Sequence, residues 1–332
     1  MSEARYSVGI DLGTTHCVLS YLDLNQSEDQ ALPTVLAIPQ LIEPGVIEAR
    51  QQLASFVYLP HAVEIAEGSS TLPWAAKADY LLGEVARFLG AKTPIRLVSS
   101  AKSWLGHKGM DSRQPILPSE APEDVERISP FTASAAYLQH LSAAWNFQFP
   151  SYPLQDQHVT ITVPASFDPA AREMTIDAAR SAGLGHASLL EEPQAALYSW
   201  IESNHANWRE LVKVGDVILV VDIGGGTSDF SLIAVTEEQG NLQLTRVAVG
   251  DHILLGGDNM DLALAYTVKA KLESQIGKRL EAWQLQALTH ACRSAKETLL
   301  NQPDLAQIPL VIAGRGSSLI GGSLRSELTR EE

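Results

Sequence analysis

The 332-residue chain is 45% apolar and 19% charged, with 23 glycines and 17 prolines. That composition excludes disorder, collagen-like repeats and low complexity as descriptions of the whole, and at ~150 residues per domain the length suits two domains or one two-lobed body. A net charge of −15 repels polyphosphate backbones and anionic surfaces, which argues against nucleic acid and membrane as partners but not against a small phosphate ligand held by backbone amides. No apolar stretch reaches the ~18 residues of a spanning helix, and residues 1–8 lack the apolar segment of a secretion signal. The two cysteines, Cys17 and Cys292, form no CxxC pair and read as small core residues. The expectation is a soluble, cytoplasmic protein.

The first predicted element is a hairpin: two β-rich runs, residues 6–12 and 16–22, separated by Gly13, Thr14 and Thr15. From 25 to 53 the pattern weakens around Pro33, Pro39, Pro44 and Gly45, as in a peripheral insertion, before a short strand at 56–59. Residues 75–105 read as largely helical, and the proline-rich 106–130 as an exposed loop. A helix follows at 131–147, then a strand at 158–163 whose alternation and β-branching are plain. The next helix is well punctuated, with Asp168 to cap it, Pro169 for its first turn and Gly183 and Gly185 for its end. Residues 217–221, Val-Ile-Leu-Val-Val, form a continuous apolar run that predicts a strand buried on both faces. Helices alternating with strands give an α/β class. In the last helix, 285–300, Leu288, Cys292, Ala295 and Leu299 form a core stripe beside a face bearing Arg293, Lys296 and Leu300.

One repeat carries chemistry. Asp11-Leu12-Gly13-Thr14-Thr15 is echoed at domain-scale spacing by Asp222-Ile223-Gly224-Gly225-Gly226-Thr227. Each places an Asp at a strand end before a turn of small residues, whose N–H groups can approach an oxyanion closely. Asp11 and Asp222 are hard oxygen ligands suited to Mg²⁺, usually through water, and facing one another they would hold a metal–polyphosphate between two like lobes. Either motif alone could be only a tight hairpin turn. Asp229 in the second turn has the weaker case, because such an Asp often only caps its own backbone.

In these segments the sequence resembles the ATPase domain of the seventy-kilodalton heat-shock (DnaK-type) chaperones, within the actin-like ATPase superfamily. The resemblance rests on residues 10–17 and 221–231 as phosphate motifs, on Val163-Pro164-Ala165-Ser166-Phe167 with Arg172, on Glu191-Glu192-Pro193-Gln194-Ala195-Ala196, and on Gly256-Gly257-Asp258. It runs in order from about residue 6 to the end, broken by the loops at 25–53 and 106–130. It implies a two-lobed actin-like fold with ribonuclease H-like lobes, mixed sheets and flanking helices. The first lobe would be 1–214, with a core at 1–40 and 131–214 around an insertion at 41–130. A partial second lobe would be 215–332, with a core at 215–254 and a subdomain at 255–332.

The same resemblance implies ATP or ADP and Mg²⁺ as cofactors. Gly13, Thr14, Thr15, His16 and the turn Gly224, Gly225, Gly226 and Thr227 would hold phosphates, Gly256, Gly257 and Lys296 would contact nucleotide, and Asp11 and Asp222 would order the metal shell. Thr227 also joins the catalytic set, in which Glu192 would orient water or metal; alone, Glu192 could be a surface residue before a proline. Arg87 stands where the family has a catalytic Lys in Gly-x-x-Ala-Lys, keeping the charge in a broader planar fork; the alternative is an ordinary exposed helical residue. Arg293, Glu297 and Leu300 depart from the family's usual adenosine face.

Thr329-Arg330-Glu331-Glu332 is a capping box where the sequence stops. The family continues with more of the second lobe, a linker and a peptide-binding module, so the expectation is a C-terminally truncated piece that folds but binds nucleotide weakly. The implied function is slow ATP hydrolysis that switches an attached chaperone module, with co-chaperones as partners. The rivals are a non-hydrolysing nucleotide sensor or scaffold and a small-molecule kinase of the superfamily.

Overall fold

The computed structural model describes residues 4–27, 32–61, 63–78, 80–107, 109–119, 121–123, 125–204, 207–251, 253–314 and 322–332. β1 (Tyr6–Leu12) and β2 (His16–Asp23) form the predicted antiparallel hairpin, from Tyr6 opposite Asp23 to Leu12 opposite Cys17. Its alternation drives Val8, Ile10, Leu12, Cys17 and Leu19 into the core. The weakly patterned stretch after it holds more structure than expected. β3 (Thr34–Val35) extends the sheet, β4 (Ile38–Glu43) and β5 (Val46–Arg50) make a second hairpin, and β6 (Leu53–Ala54) pairs with β2. Pro39 lies inside β4, where a two-stranded ribbon tolerates a missing donor, and Gly45 turns the hairpin at φ +80.

β7 (Val57–Tyr58), the strand expected at 56–59, joins β8 (Leu81–Leu82) and β9 (Leu97–Val98) in a separate three-stranded sheet. Residues 75–105 are therefore not largely helical: among the described residues only α1 (Glu84–Gly90) and α2 (Ala101–Leu105) are α-helix. Gly90 and Pro94 break the run between them, and Leu81, Leu97 and Val98 are buried as strand residues. The loop that follows is irregular, as expected, but not wholly exposed, since Leu117, Ala121, Val125 and Ile128 are buried.

α3 (Pro130–Gln148) starts at Ser129, whose Oγ accepts from the Thr132 N–H at 3.0 Å. β10 (His158–Val163) lies parallel to β1, and α4 (Pro169–Ser181) begins where Asp168 accepts from the Ala171 N–H at 2.8 Å. β11 (Ser188–Glu191), α5 (Glu192–Asn204) and the short α6 (Trp208–Leu211) complete this part. The sheet order is β11-β10-β1-β2-β3, with β6 also on β2. Its core joins α3 through Trp145, whose ring meets Tyr6 edge-on at 5.4 Å and Phe149 at 4.5 Å.

β12 (Val217–Ile223), β13 (Ser228–Glu238) and β14 (Asn241–Val249) form an antiparallel meander, and its hairpin repeats β1–β2, with Asp222 opposite Asp229. The expectation that β12 is buried on both faces is overturned: Val217, Leu219, Val221 and Ile223 are 59, 56, 48 and 61% exposed. An apolar run records β-propensity on both faces, whereas burial depends on what packs there, and among the described residues nothing covers this one.

α7 (Gly257–Ile276) and α8 (Ala282–Asn301) pack on a ribbon of β15 (Gln307–Ala313) and β16 (Ser323–Thr329). The predicted stripe Leu288, Cys292, Ala295 and Leu299 is buried there with Ala265, Val268 and Leu272 of α7. At the last residues, the Thr329 N–H and Oγ each donate to Glu332 Oε2 at 3.0 Å, the acidic half of a capping box formed on a turn. Among the described residues no helix is long and apolar enough to cross a membrane.

Candidate functional site

The two hairpin turns that repeat in sequence meet in space. Asp11 ends β1 between β10 and β2, and its Oδ1 accepts from Thr162 Oγ1 at 2.8 Å. Ser55 occupies the first turn's carbonyls, its Oγ donating to Gly13 O at 2.8 Å and its N–H to Thr15 O at 2.8 Å. The second turn closes through Gly224 N–H to Thr227 O at 2.8 Å. Its carbonyls at Gly224 and Gly225 accept from the first amides of α7, Gly257 at 3.0 Å and Asp258 at 2.7 Å. A trans peptide points its C=O and its N–H in opposite directions, so these bonds turn the Gly225 and Gly226 amides away from α7. A side chain on Gly225 would strike the Thr15 methyl, and one on Gly226 the Ser103 hydroxyl of α2. The turns touch because both positions are glycine.

Between them lies a cavity of about 360 Å³. Gly13, Thr14, Thr15 and His16 line one side, and Gly224, Gly225 and Thr227 the other. Three carboxylates, Asp11, Glu192 and Asp222, reach it from β1, the start of α5 and β12. Lys102 of α2 enters as well, its Nζ 2.6 Å from Glu192 Oε1 with both side chains largely buried. Burial raises the Glu192 carboxyl above its usual range while Lys102 pulls it back, and burial raises Asp222 in the same way. For Lys102, burial pulls the ammonium down, but Glu192 and Asp11 outweigh it and the net shift is upward. Burial lowers the pKa of the His16 imidazole, against the pull of Glu297.

This donor set fits Mg²⁺. Among the described residues no three His, Cys, Asp or Glu side chains converge into a cage for a metal ion, and Mg²⁺ ordinarily uses one or two carboxylates together with phosphate oxygens and waters. Asp11 and Asp222 supply two carboxylates at the mouths of two amide-bearing turns, the arrangement that suits a metal arriving with a phosphate.

Other expected site residues lie outside the cavity. Gly226 contacts Ser103 behind the second turn, and Gly256 and Gly257 sit at the head of α7, against the turn's carbonyls. Lys296 is held within its own unit, Nζ 2.6 Å from Asp261 Oδ1 and 3.2 Å from Gly257 O. Its neighbour Arg293 donates to Asp261 at 2.7 Å and also pairs with Asp258. Arg87 does not point into the cavity: its Nη2 is 2.5 Å from Glu297 Oε2 and 3.2 Å from Ser294 Oγ, both on α8. Asp229 stands across the ladder from Asp222. Burial pushes both cysteine thiols up to about 12, in keeping with core roles. The residue missed from sequence is Lys102. The signal was a lone lysine among Ala101, Ser103, Trp104 and Leu105, obscured because the whole segment read as one amphipathic helix.

Comparison with known proteins bears on what this arrangement is. A family model described as Hsp70 protein matches residues 69–332. A Chaperone protein HscA homolog from Bordetella pertussis is 30% identical over 341 residues, covering 99% of this chain and 46% of that protein. The Chaperone protein HscA homolog of Pseudomonas aeruginosa is 32% identical, covering 90% of this chain and 43% of its own. A Chaperone protein dnaK from Thalassiosira pseudonana is 28% identical, covering 98% and 49%. The chain spans about half the length of the curated relatives it matches. Relatives of this kind favour neither the small-molecule kinase nor the non-hydrolysing scaffold.

Proposed function

The chain belongs to the Hsp70 family, and on that premise we propose that it binds Mg-ATP between two actin-like lobes, residues 1–214 and 215–332, and hydrolyses it slowly to ADP and phosphate. The observation that carries the reading is the contact of Gly225 with Thr15 around a cavity bearing three carboxylates. Amides of the turns at 13–16 and 224–227, with the hydroxyls of Thr14, Thr15 and Thr227, would grip the β- and γ-phosphates as charge-assisted donors. Asp11 and Asp222 would hold Mg²⁺ through its water shell. When bound, the metal neutralises phosphate charge. Glu192 would accept a hydrogen bond from the attacking water and align it with the terminal phosphorus, the positioning on which phosphoryl transfer chiefly depends.

Hydrolysis would switch an attached C-terminal substrate-binding module by changing cleft closure, with co-chaperones acting on the same motion, in the cytoplasm. The test is Mg²⁺-dependent phosphate release by the protein at full length. Asp11→Asn or Asp222→Asn should lower turnover on the order of 10²-fold, the usual cost of a lost group at a developing charge, with circular dichroism unchanged. Unaltered turnover in both variants would reject the assignment.

A further inference from the structure

We propose that the cavity between α3 and the turn at 71–76 is a binding site for a small neutral aromatic molecule bearing one N–H or O–H donor, which it gives to His140. No described residue lines both this cavity and the phosphate cavity, so the site is independent of the nucleotide reading.

The cavity measures about 290 Å³. Part of its wall is a single face of α3, where Ala136, Gln139, His140 and Ala143 follow the i, i+3, i+4, i+7 spacing of neighbours on a helix surface. The two alanines leave room on either side of the imidazole. The rest of the wall includes Leu41 of β4, Leu81 of β8, Trp74 and Tyr80. Trp74 is brought over α3 by a tight turn, in which the Leu72 N–H donates to Ala75 O at 2.8 Å and Thr71 Oγ1 to Ala76 O at 3.1 Å. Its ring meets His140 edge-on at 5.1 Å. Among the described residues no lining side chain is charged, because burial holds His140 neutral with a pKa of about 4. That excludes a phosphate or a carboxylate as occupant, since an ion would lose its hydration without gaining a partner.

The hydrogen bonding of His140 fixes what the ligand must offer. The side chain is 6% exposed, and its Nε2 lies 3.0 Å from Pro39 O. A carbonyl only accepts, so Nε2 carries the ring proton and Nδ1 is left as a bare acceptor. Nδ1 has no partner among the described residues and is not sealed within the packing, so it opens onto the cavity that the ring lines. A water there is poorly held, because an ordered buried water needs about three polar partners. Of the other lining side chains only Gln139 and Tyr80 are polar, and the Gln139 amide nitrogen already donates to Ser181 O at 3.4 Å. Exchanging a loosely held water for a donor that also fills the apolar volume favours binding. Size sets the rest: an apolar cavity of ~150 Å³ takes one benzene ring, so this one takes a two-ring body, and the aromatic edges around it favour a flat one. Indole has that shape and a single N–H.

The test is titration calorimetry of the full-length protein with indole and with benzofuran, which has the same shape but an ether oxygen in place of the N–H. Indole should bind saturably, with a Kd of about 1 mM or tighter, and about 2- to 10-fold more tightly than benzofuran, the span of a neutral hydrogen bond. Ala143→Leu, which keeps a good helix former on α3 and fills the cavity, should weaken both ligands about 10-fold or more. His140→Phe keeps a ring without the acceptor and should make the two ligands equal. The comparison on the unmutated protein needs no variant, so it decides the matter even where His140→Phe fails to fold. Absence of saturable indole binding, indole binding that survives Ala143→Leu, benzofuran binding as tightly as indole, or a preference for indole that persists in folded His140→Phe overturns the site.

Discussion

The hairpins β1–β2 and β12–β13 repeat one design, an Asp at a strand end followed by a turn of glycine and threonine, yet they live in different surroundings. Around the first, Ile10 and Leu19 are fully buried; on the second, alternate residues of β12 face outward as bare hydrocarbon. Turn geometry is thus a local property, dictated by a few small residues and the bonds to their carbonyls. Burial is set by neighbours distant in sequence. A motif search finds the first property and says nothing about the second.

Core truncation gives the largest expected contrast. Ile10→Ala should cost about 2–5 kcal/mol in urea denaturation, the range for removing a large aliphatic side chain from a packed core. The matching Leu219→Ala on the outer face of β12 should stay within about 0.5 kcal/mol. Equal losses would show that the outer face is covered in solution.

Acid should weaken the first region through one buried histidine. His140, on α3, is buried with Nε2 3.0 Å from Pro39 O, and burial lowers its pKa from 6.5 to about 4. Between these values the unfolded chain binds the extra proton, so the histidine's contribution is intact above pH 6.5 and is lost as pH falls toward 4. The full loss is about 3 kcal/mol. His140→Gln should flatten that part of the stability profile, and a profile that stays as steep would assign the acid sensitivity to another group.

Next in size is the contact between the turns. Gly225→Ala should destabilise by about 1–3 kcal/mol, as overpacking does, because its methyl meets Thr15. Gly9→Ala, where the nearest atom would be Ser20 Oγ at 3.4 Å, should cost less in the same melting assay. The smallest effect belongs to the facing carboxylates of the second hairpin. Asp222→Asn should stabilise the ligand-free protein by roughly 0.2–1 kcal/mol, by removing a like-charge cross-strand neighbour of Asp229. A loss of stability would mean that Asp222 is held by more than its ladder position.

Much of this was legible in residue order. The capped helix after Asp168, the stripe on α8 and the paired Asp–Gly–Thr turns follow from spacing and from side chains whose backbone preferences are strong. The hairpin at β4–β5 was hidden because Pro39 and Pro44 break the pattern that identifies strands, and a two-stranded ribbon tolerates them. The opposite placement of Arg87 and Lys102 was hidden for another reason. Both are single cations near small residues, and which one faces the cavity depends on Glu297 and Ser294, more than two hundred residues beyond Arg87. No local pattern carries that information.

The bonds from Gly257 and Asp258 to the carbonyls of Gly224 and Gly225 also make a built-in gauge. Both donors lie in the first turn of α7, where amides have no partner within their own helix. Their shielding from solvent deuterium therefore depends on the unit at 257–332 remaining seated against the second hairpin. Any rocking of that unit away from the hairpin must release the two amides together, even while the helix behind them stays folded. Hydrogen–deuterium exchange at these two residues, set against exchange deeper in α7, would time the separation without any label.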